Sequence, residues 1–161
     1  MLPKSKEDMS RHSVIKKYIE DIFEVRRFAV LATEGDGQPH ASLIAVTPMD
    51  GFRKLIFATY RNTRKYRNLV SNGRVAVLFE SVHTNRSGLQ ESLVLTAFGH
   101  VEEIMGGEES IVFEAHLERH PELLAFMMSE DCSLVRIKVD TYQVVRGIND
   151  VEWCTIDDLD V

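Results

Sequence analysis

Apolar residues recur along this chain with two different periods. From Ser10 to Glu24, Val14, Tyr18 and Ile22, continued by Val25, fall on one stripe with Ile15 and Ile19 beside it, the spacing of an amphipathic helix that packs on something larger. From Arg27 the pattern shortens: Phe28 to Thr33, a turn at Glu34-Gly35-Asp36-Gly37, Gln38 to Thr47, a turn at Asp50-Gly51, then Phe52 to Thr59. Runs rich in β-branched and aromatic residues, separated by Gly/Asp turns, predict antiparallel hairpins and a three-stranded meander. A polar, basic stretch reads as a helix. Gly73 then opens Arg74 to Ser81, whose VAVLF core is apolar on both faces, as in a strand covered on both sides. Val82 to Glu91 reads as a polar loop.

Ser92 to Ile104 predicts the next strand, with Gly99 marking a bend or bulge. Gly106-Gly107-Glu108-Glu109 starts a helix with acids in its favourable first turn and Ile111, Val112 and Ala115 on its packed face. Pro121 begins a second short helix through Met128. In Ser133 to Val145, Val135, Ile137 and Val139 alternate with Arg136, Lys138 and Asp140, which implies one buried face. The tail from Arg146 to Val161 is acidic apart from Arg146 and carries Trp153. Six strands, mostly antiparallel, with helices after the third and fifth, describe a mainly β protein built as a small barrel, which removes exposed edges. An open α+β sheet with helices on one face is the alternative. The expected organisation is one domain over 1–161: an N-terminal helix (1–26), a barrel with inserted helices (27–145) and a tail (146–161).

Composition narrows the function classes. A chain of 161 residues suits one domain, and 44% hydrophobic with 27% charged residues is ordinary for a soluble protein. No apolar run approaches ~18 residues, and Met1 to Ser10 is mixed in charge rather than basic and then apolar, so the expectation is a cytoplasmic protein without membrane contact. Cys132 and Cys154 are too few and too far apart for a metal site, and are expected as free thiols. A net charge of −6 argues against nucleic-acid binding.

Against that acidic average, Phe57 to Phe79 holds five basic residues, Arg61, Arg64, Lys65, Arg67 and Arg74, and no acidic one. Asn62 or Thr63 can cap the helix, which places Arg64 and Lys65 in its first turn. Cations there oppose the helix dipole unless an anion is bound. Thr59 and Thr63 hydroxyls, terminal N–H groups and two cationic side chains make a pocket for a phosphate; the rival reading is a solvated basic helix face. Elsewhere there is no Gly-x-Ser-x-Gly, no Cys with a nearby His and no paired-carboxylate signature; Glu102-Glu103 and Asp157-Asp158 read as solvated charge. His116 and His120, four apart with Glu114 nearby, could share a helix face as metal or haem ligands, although Pro121 follows at once and capping or surface roles are the default. His40 lies on a strand after Gln38-Pro39, while His83 and His100 have no partner pattern.

These residues carry a family likeness. FAVLATEGDGQPHASLIAV followed by LIFATYRNTRKYRNLVSNGRVAVLF resembles the pyridoxamine 5′-phosphate oxidase-like FMN-binding split barrels, closely over Arg27 to Phe79 and more loosely over Ser92 to Val145. The specific element is a Thr followed six residues later by Lys, with Arg before that Lys, then a helix and an asparagine–basic–Val run; Thr59, Arg64, Lys65, Asn72, Arg74 and Val75 fill these positions. The resemblance implies a six-stranded antiparallel split barrel that binds FMN. The segment Ser42, Leu43, Ile44, Ala45, Val46 and Thr47 would run beside the isoalloxazine, and Ala58, Thr59, Arg64 and Lys65 would hold the phosphate. It further implies a homodimer with the cofactor between subunits, a small-molecule redox substrate such as a nicotinamide nucleotide, and a catalytic step done by the flavin. On this reading Trp153 could cap the partner's flavin, and His40 could approach the flavin edge.

Two features depart from the relatives that oxidise pyridoxamine phosphate. Those carry a basic residue at each end of the ring-side segment, where this chain has Ser42 and Thr47, and an Arg-x-His motif near the carboxy terminus, absent from GINDVEWCTIDDLDV. The likeness therefore implies a flavin fold and not that reaction. The rivals are a non-catalytic flavin-binding module, a deazaflavin-dependent reductase, and a haem-binding or haem-degrading split barrel. The last rests on HLERHPELLAF and VVRGIND, which resemble segments of haem-handling relatives.

Overall fold

The computed structural model describes residues 6–159, so residues 1–5 and 160–161 of the expected domain and tail lie outside the described residues. Helix α1 (Lys6–Val25) precedes eight strands: β1 (Phe28–Gly35), β2 (Gln38–Ala45), β3 (Thr47–Met49), β4 (Lys54–Tyr60), β5 (Arg74–Thr84), β6 (Gln90–Glu102), β7 (Cys132–Arg146) and β8 (Asp150–Thr155). Helix α2 (Arg64–Ser71) follows β4. Helix α3 (Glu109–Arg119), a 3-10 turn (Pro121–Leu123) and α4 (Leu124–Met127) lie between β6 and β7. The strand order is β2-β1-β5-β6-β7-β4-β3, antiparallel throughout, with β8 also paired to β7.

The expected strand Gln38 to Thr47 is in fact two. Its first part, β2, is one end of the strand order, and β3 is the other end; the chain joins them through Val46. A sheet whose two extremes are one residue apart must curl until they meet, so this link closes the barrel. The second departure is in the tail, where Asp150 to Thr155 forms β8 on the second half of β7. These two changes turn the six expected strands into eight without altering the mainly β, split-barrel class.

Gly99 does mark a bulge. The register shifts between Phe98 and Gly99, and Asp140 on β7 is the extra residue. Inward residues of β7 accordingly change phase from Val135, Ile137 and Val139 to Tyr142 and Val144, which are all buried. A Cβ on Gly99 would stand 2.1 Å from the Lys138 carbonyl oxygen. Only glycine lets the strands approach there.

Inside the barrel, Leu31, Phe57, Val77, Phe79, Leu95 and Ile137 form the core, into which α1 lays Ile15, Ile19, Ile22 and Phe23. Val14 and Val25, expected on the buried stripe, are exposed. Strand β5 is covered on one side only: Val75, Val77 and Phe79 are buried, whereas Leu78 on the outer face is open to solvent. The expected loop Val82 to Glu91 shrinks to residues 85–89, because β5 runs to Thr84 and β6 starts at Gln90; Asn85 Oδ1 accepts from the Ser87 and Leu89 N–H groups across the turn.

Helix α3 covers the outer face of β3 and β4 and α4 packs on β7, and Ile56, Val112 and Met127 are buried there. No helix among the described residues is long and apolar enough to cross a membrane.

Candidate functional site

Thr63 is the N-cap of α2. Its backbone is extended, its hydroxyl accepts from the Tyr66 N–H at 3.3 Å and donates to the Tyr60 carbonyl at 2.8 Å. Thr59 is fully buried at the end of β4, with its hydroxyl 3.2 Å from that of Thr63. The two hydroxyls fix the strand-to-helix turn and put Arg64 and Lys65 in the first turn, where there is no acidic residue. The five basic residues then divide. Arg61 donates to the Glu130 carbonyl and Arg67 to the Asn62 carbonyl, tying the chain to itself. Arg64 and Lys65 have no ion-pair partner among the described residues.

The helix itself is held by Asn68, which is buried and donates to the Thr33 hydroxyl on β1 at 3.0 Å. Its carboxamide occupies the space a Cβ on Gly35 would fill, at 2.1 Å from Oδ1. At the other end Asn72 caps the helix, donating to Glu34 and accepting from the Arg74 N–H. The carboxyl of Glu34 is held below its usual range, first by the Asn72 hydrogen bond and then by the Gly37 N–H. The asparagine–basic–Val run thus serves the helix end, with Arg74 itself exposed.

The ring-side segment Ser42 to Thr47 is not one surface. Ser42 lies on the inner face of β2 with His40 and Ile44; Ser42 Oγ and His40 Nδ1 are buried polar atoms without a hydrogen-bond partner. Leu43 points outward and is 69% exposed, Ile44 is buried and Ala45 half-buried. Val46 is buried with its side chain in the barrel core, and Thr47 is buried beneath α3. Ala58, beside Thr59 on β4, is half-buried.

The side chains over Val46 and Thr47 are ones whose roles sequence reasoning missed. His116 Nδ1 lies 2.8 Å from the Thr47 hydroxyl, and His120 Nε2 donates to the Val46 carbonyl at 2.9 Å. Arg119 donates to the same carbonyl at 3.1 Å, and through a second nitrogen to the carbonyls of Phe23 and Arg26 at the end of α1. The link that closes the barrel is therefore clamped by three residues of one helical turn. Burial first, and the neighbouring His120 second, push His116 down to about 4, so it is neutral at pH 7. His120 does cap α3, its backbone N–H donating to the His116 carbonyl at 2.9 Å, but both imidazoles are fully buried, 4.9 Å apart, so the expected surface role is replaced by a core role and neither side chain is open to haem from solvent. Their spacing of four was the legible signal; the burial was not.

Cys132 is half-buried and Cys154 buried, both as free thiols. Among the described residues no group of three or more His, Cys, Asp or Glu could hold a metal ion.

The closed, one-residue-linked barrel with a basic helix after β4 defines a split β-barrel. A family model described as pyridoxamine 5′-phosphate oxidase matches residues 15–146, and the chain belongs to that family. A comparison with curated proteins found no match. Among solved structures, a heme binding protein from Mycobacterium smegmatis superposes with a TM-score of 0.74 at 19% identity, covering 99% of this chain and 61% of the other. A Clostridium acetobutylicum protein related to general stress protein 26, of the pyridoxinephosphate oxidase family, gives 0.68 at 16% identity, covering 91% and 97%. A FAD-binding protein from Mesorhizobium loti gives 0.65 at 16% identity, covering 82% and 94%. This chain thus spans about three-fifths of the length of the Mycobacterium protein and nearly all of the other two.

Proposed function

We propose that this protein binds FMN and acts as a flavin-dependent oxidoreductase in a cytoplasmic homodimer. The observation that carries the reading is the pair Arg64 and Lys65, without ion-pair partners among the described residues, in the first turn of a helix capped by Thr63 and set beside Thr59. A solvated basic face does not call for two cations at the positive end of a helix. A phosphate does, because each cation and each terminal N–H gains a charge-assisted hydrogen bond. On this reading Ser42 to Thr47 run beside the ring: among the described residues β2 pairs with β1 alone, which leaves its second edge for the ligand, whereas the Val46 backbone is already held by Arg27, Arg119 and His120. Bound flavin would supply hydride exchange; the chain supplies the anion grip and a strand of fixed position.

The outer face of the sheet supports the dimer reading. Leu43, Val30, Leu78, Thr96, Gln143 and Trp153 are directly opposed in one row across β2, β1, β5, β6, β7 and β8. Leu43 and Trp153 are more than half exposed, and Trp153 stacks on Phe98 at 5.3 Å. Exposed Leu43, Val30 and Leu78 on three adjacent strands, with Trp153 at the other end of the row beyond Thr96 and Gln143, suit a second copy of the chain.

Replacing Arg64 and Lys65 together by alanine will weaken FMN binding by at least about 100-fold, at ~1.5–3 kcal/mol for each hydrogen bond to a charged group, while the far-UV spectrum and melting temperature of the flavin-free variant stay as in the flavin-free wild type. Tight FMN binding by the folded double variant would refute the grip. Stopped-flow reduction by a nicotinamide nucleotide separates an oxidoreductase from a non-catalytic flavin module, the reading favoured by the absence of basic residues at Ser42 and Thr47. The mass of the released cofactor separates FMN from FAD and deazaflavin, and a Soret band on titration would favour haem.

A further inference from the structure

A cavity of about 770 Å³ opens between α2, the end of β6, α3 and the start of β7. It falls within the roughly 300–1,000 Å³ of small-molecule sites. Helix α2 contributes Tyr66, Leu69 and Val70, which at i, i+3 and i+4 form the helix face opposite Arg64. None of Thr59, Thr63, Arg64 and Lys65 lines it, so it shares no residue with the phosphate grip, which it adjoins through Arg61, Tyr66 and Ser133, the strand partner of Thr59. Its floor is apolar, with Val101, Ile104, Phe113, Met127 and Leu134 joining Leu69.

Charge around this floor is one-sided. The lining residues include one cation, Arg61, whose guanidinium is committed to the Glu130 carbonyl. Of four lining glutamates, Glu102 is paired with buried Arg136 at 2.7 Å. Glu103, Glu109 and Glu114 are exposed at the rim and have no ion-pair partner among the described residues. An apolar floor below three unpaired carboxylates, which outnumber the one lining cation Arg61, attracts a cation with an apolar body and repels an anion of the same shape. A neutral ligand would gain only the floor.

We propose that this cleft is a second ligand site, selective for a hydrophobic amine whose apolar part lies on Leu69, Val101 and Phe113 and whose ammonium meets Glu103, Glu109 and Glu114. The site is independent of the flavin reading and stands or falls without it.

The test is a calorimetric titration of the wild-type protein, at low salt, with 4-phenylbutylamine, 4-phenylbutan-1-ol and 4-phenylbutyrate. The amine binds saturably at one site, about ten-fold tighter than the alcohol, and the carboxylate does not bind; the preference shrinks at ~1 M salt, where screening acts within ~3 Å. The triple variant Glu103→Gln, Glu109→Gln, Glu114→Gln changes only exposed groups; it brings the amine to the affinity of the alcohol and leaves the alcohol unchanged. Ser110→Trp, at an exposed lining position, blocks both. The Arg64→Ala, Lys65→Ala variant keeps full amine binding, which separates this site from the flavin grip. An amine that binds no better than the alcohol, an amine preference that survives the triple substitution, or no binding by any of the three probes overturns the proposal.

Discussion

His116 ties stability to pH through one proton. In the unfolded chain it titrates near the ordinary 6.5, whereas in the fold burial and the adjacent His120 lower it to about 4. Between these values the unfolded state binds a proton that the native state does not, so stability present above pH 6.5 is lost as pH falls toward 4. From pH 7 to pH 5 the loss amounts to ~2 kcal/mol, by linkage between the two titrations. His116→Gln keeps a partner for the Thr47 hydroxyl and removes the titration. Urea unfolding at both pH values should show a smaller acid-induced drop in the variant, by about that amount; an unchanged drop would mean that other groups govern it. Arg119, in the same turn, carries no such proton but holds three carbonyls that no helix or strand satisfies.

Elements are fixed here by a few positions where no other residue fits. At the β6 bulge, Gly99→Ala would drive a methyl group into the Lys138 carbonyl at 2.1 Å, against backbone held on both sides by strand pairing. We expect a loss of at least ~2 kcal/mol in urea unfolding. Gly73→Ala is the control: its Cβ would meet nothing nearer than 3.6 Å, and stability should change by less than ~1 kcal/mol. Equal effects at the two glycines would contradict the bulge argument. This level was largely legible in the sequence. The cap at Thr63, the first turn with Arg64 and Lys65, and the bulge at Gly99 all follow from local chemistry. The split of Gln38 to Thr47 was not legible, because the backbone stays extended through Val46 while its hydrogen-bonding partner changes from β1 to β4, a long-range event. Strand β8 was hidden for a related reason: Val151 and Trp153 alternate with Glu152 and Cys154, but only pairing with β7 makes that alternation a strand.

At the scale of the whole molecule, one barrel carries an inner core and an outer face with different fates. α3 covers the outer face of β3 and β4 and α4 packs on β7, while Leu43, Val30, Leu78 and Trp153 remain exposed. If that row is the interface between two copies, Leu43→Glu with Leu78→Glu will give a folded monomer by light scattering where the wild type is a dimer. A wild type that is already monomeric would remove this part of the account. Of the candidate site, the juxtaposition of Thr59, Thr63, Arg64 and Lys65 could be read from sequence because these residues lie within seven positions, Thr59 to Lys65. The clamp on the Val46 carbonyl and the Thr47 hydroxyl could not, since it depends on histidines about seventy residues away in the chain.

The claim on which the functional account turns is that the first turn of α2 grips a phosphate. Titrating flavin-free protein with FMN and with riboflavin, which differ only in that phosphate, tests it most directly. The account predicts that FMN binds at least about 100-fold more tightly, and that the Arg64→Ala, Lys65→Ala variant binds the two alike. Equal affinity of the wild type for both, or binding of neither, would contradict it.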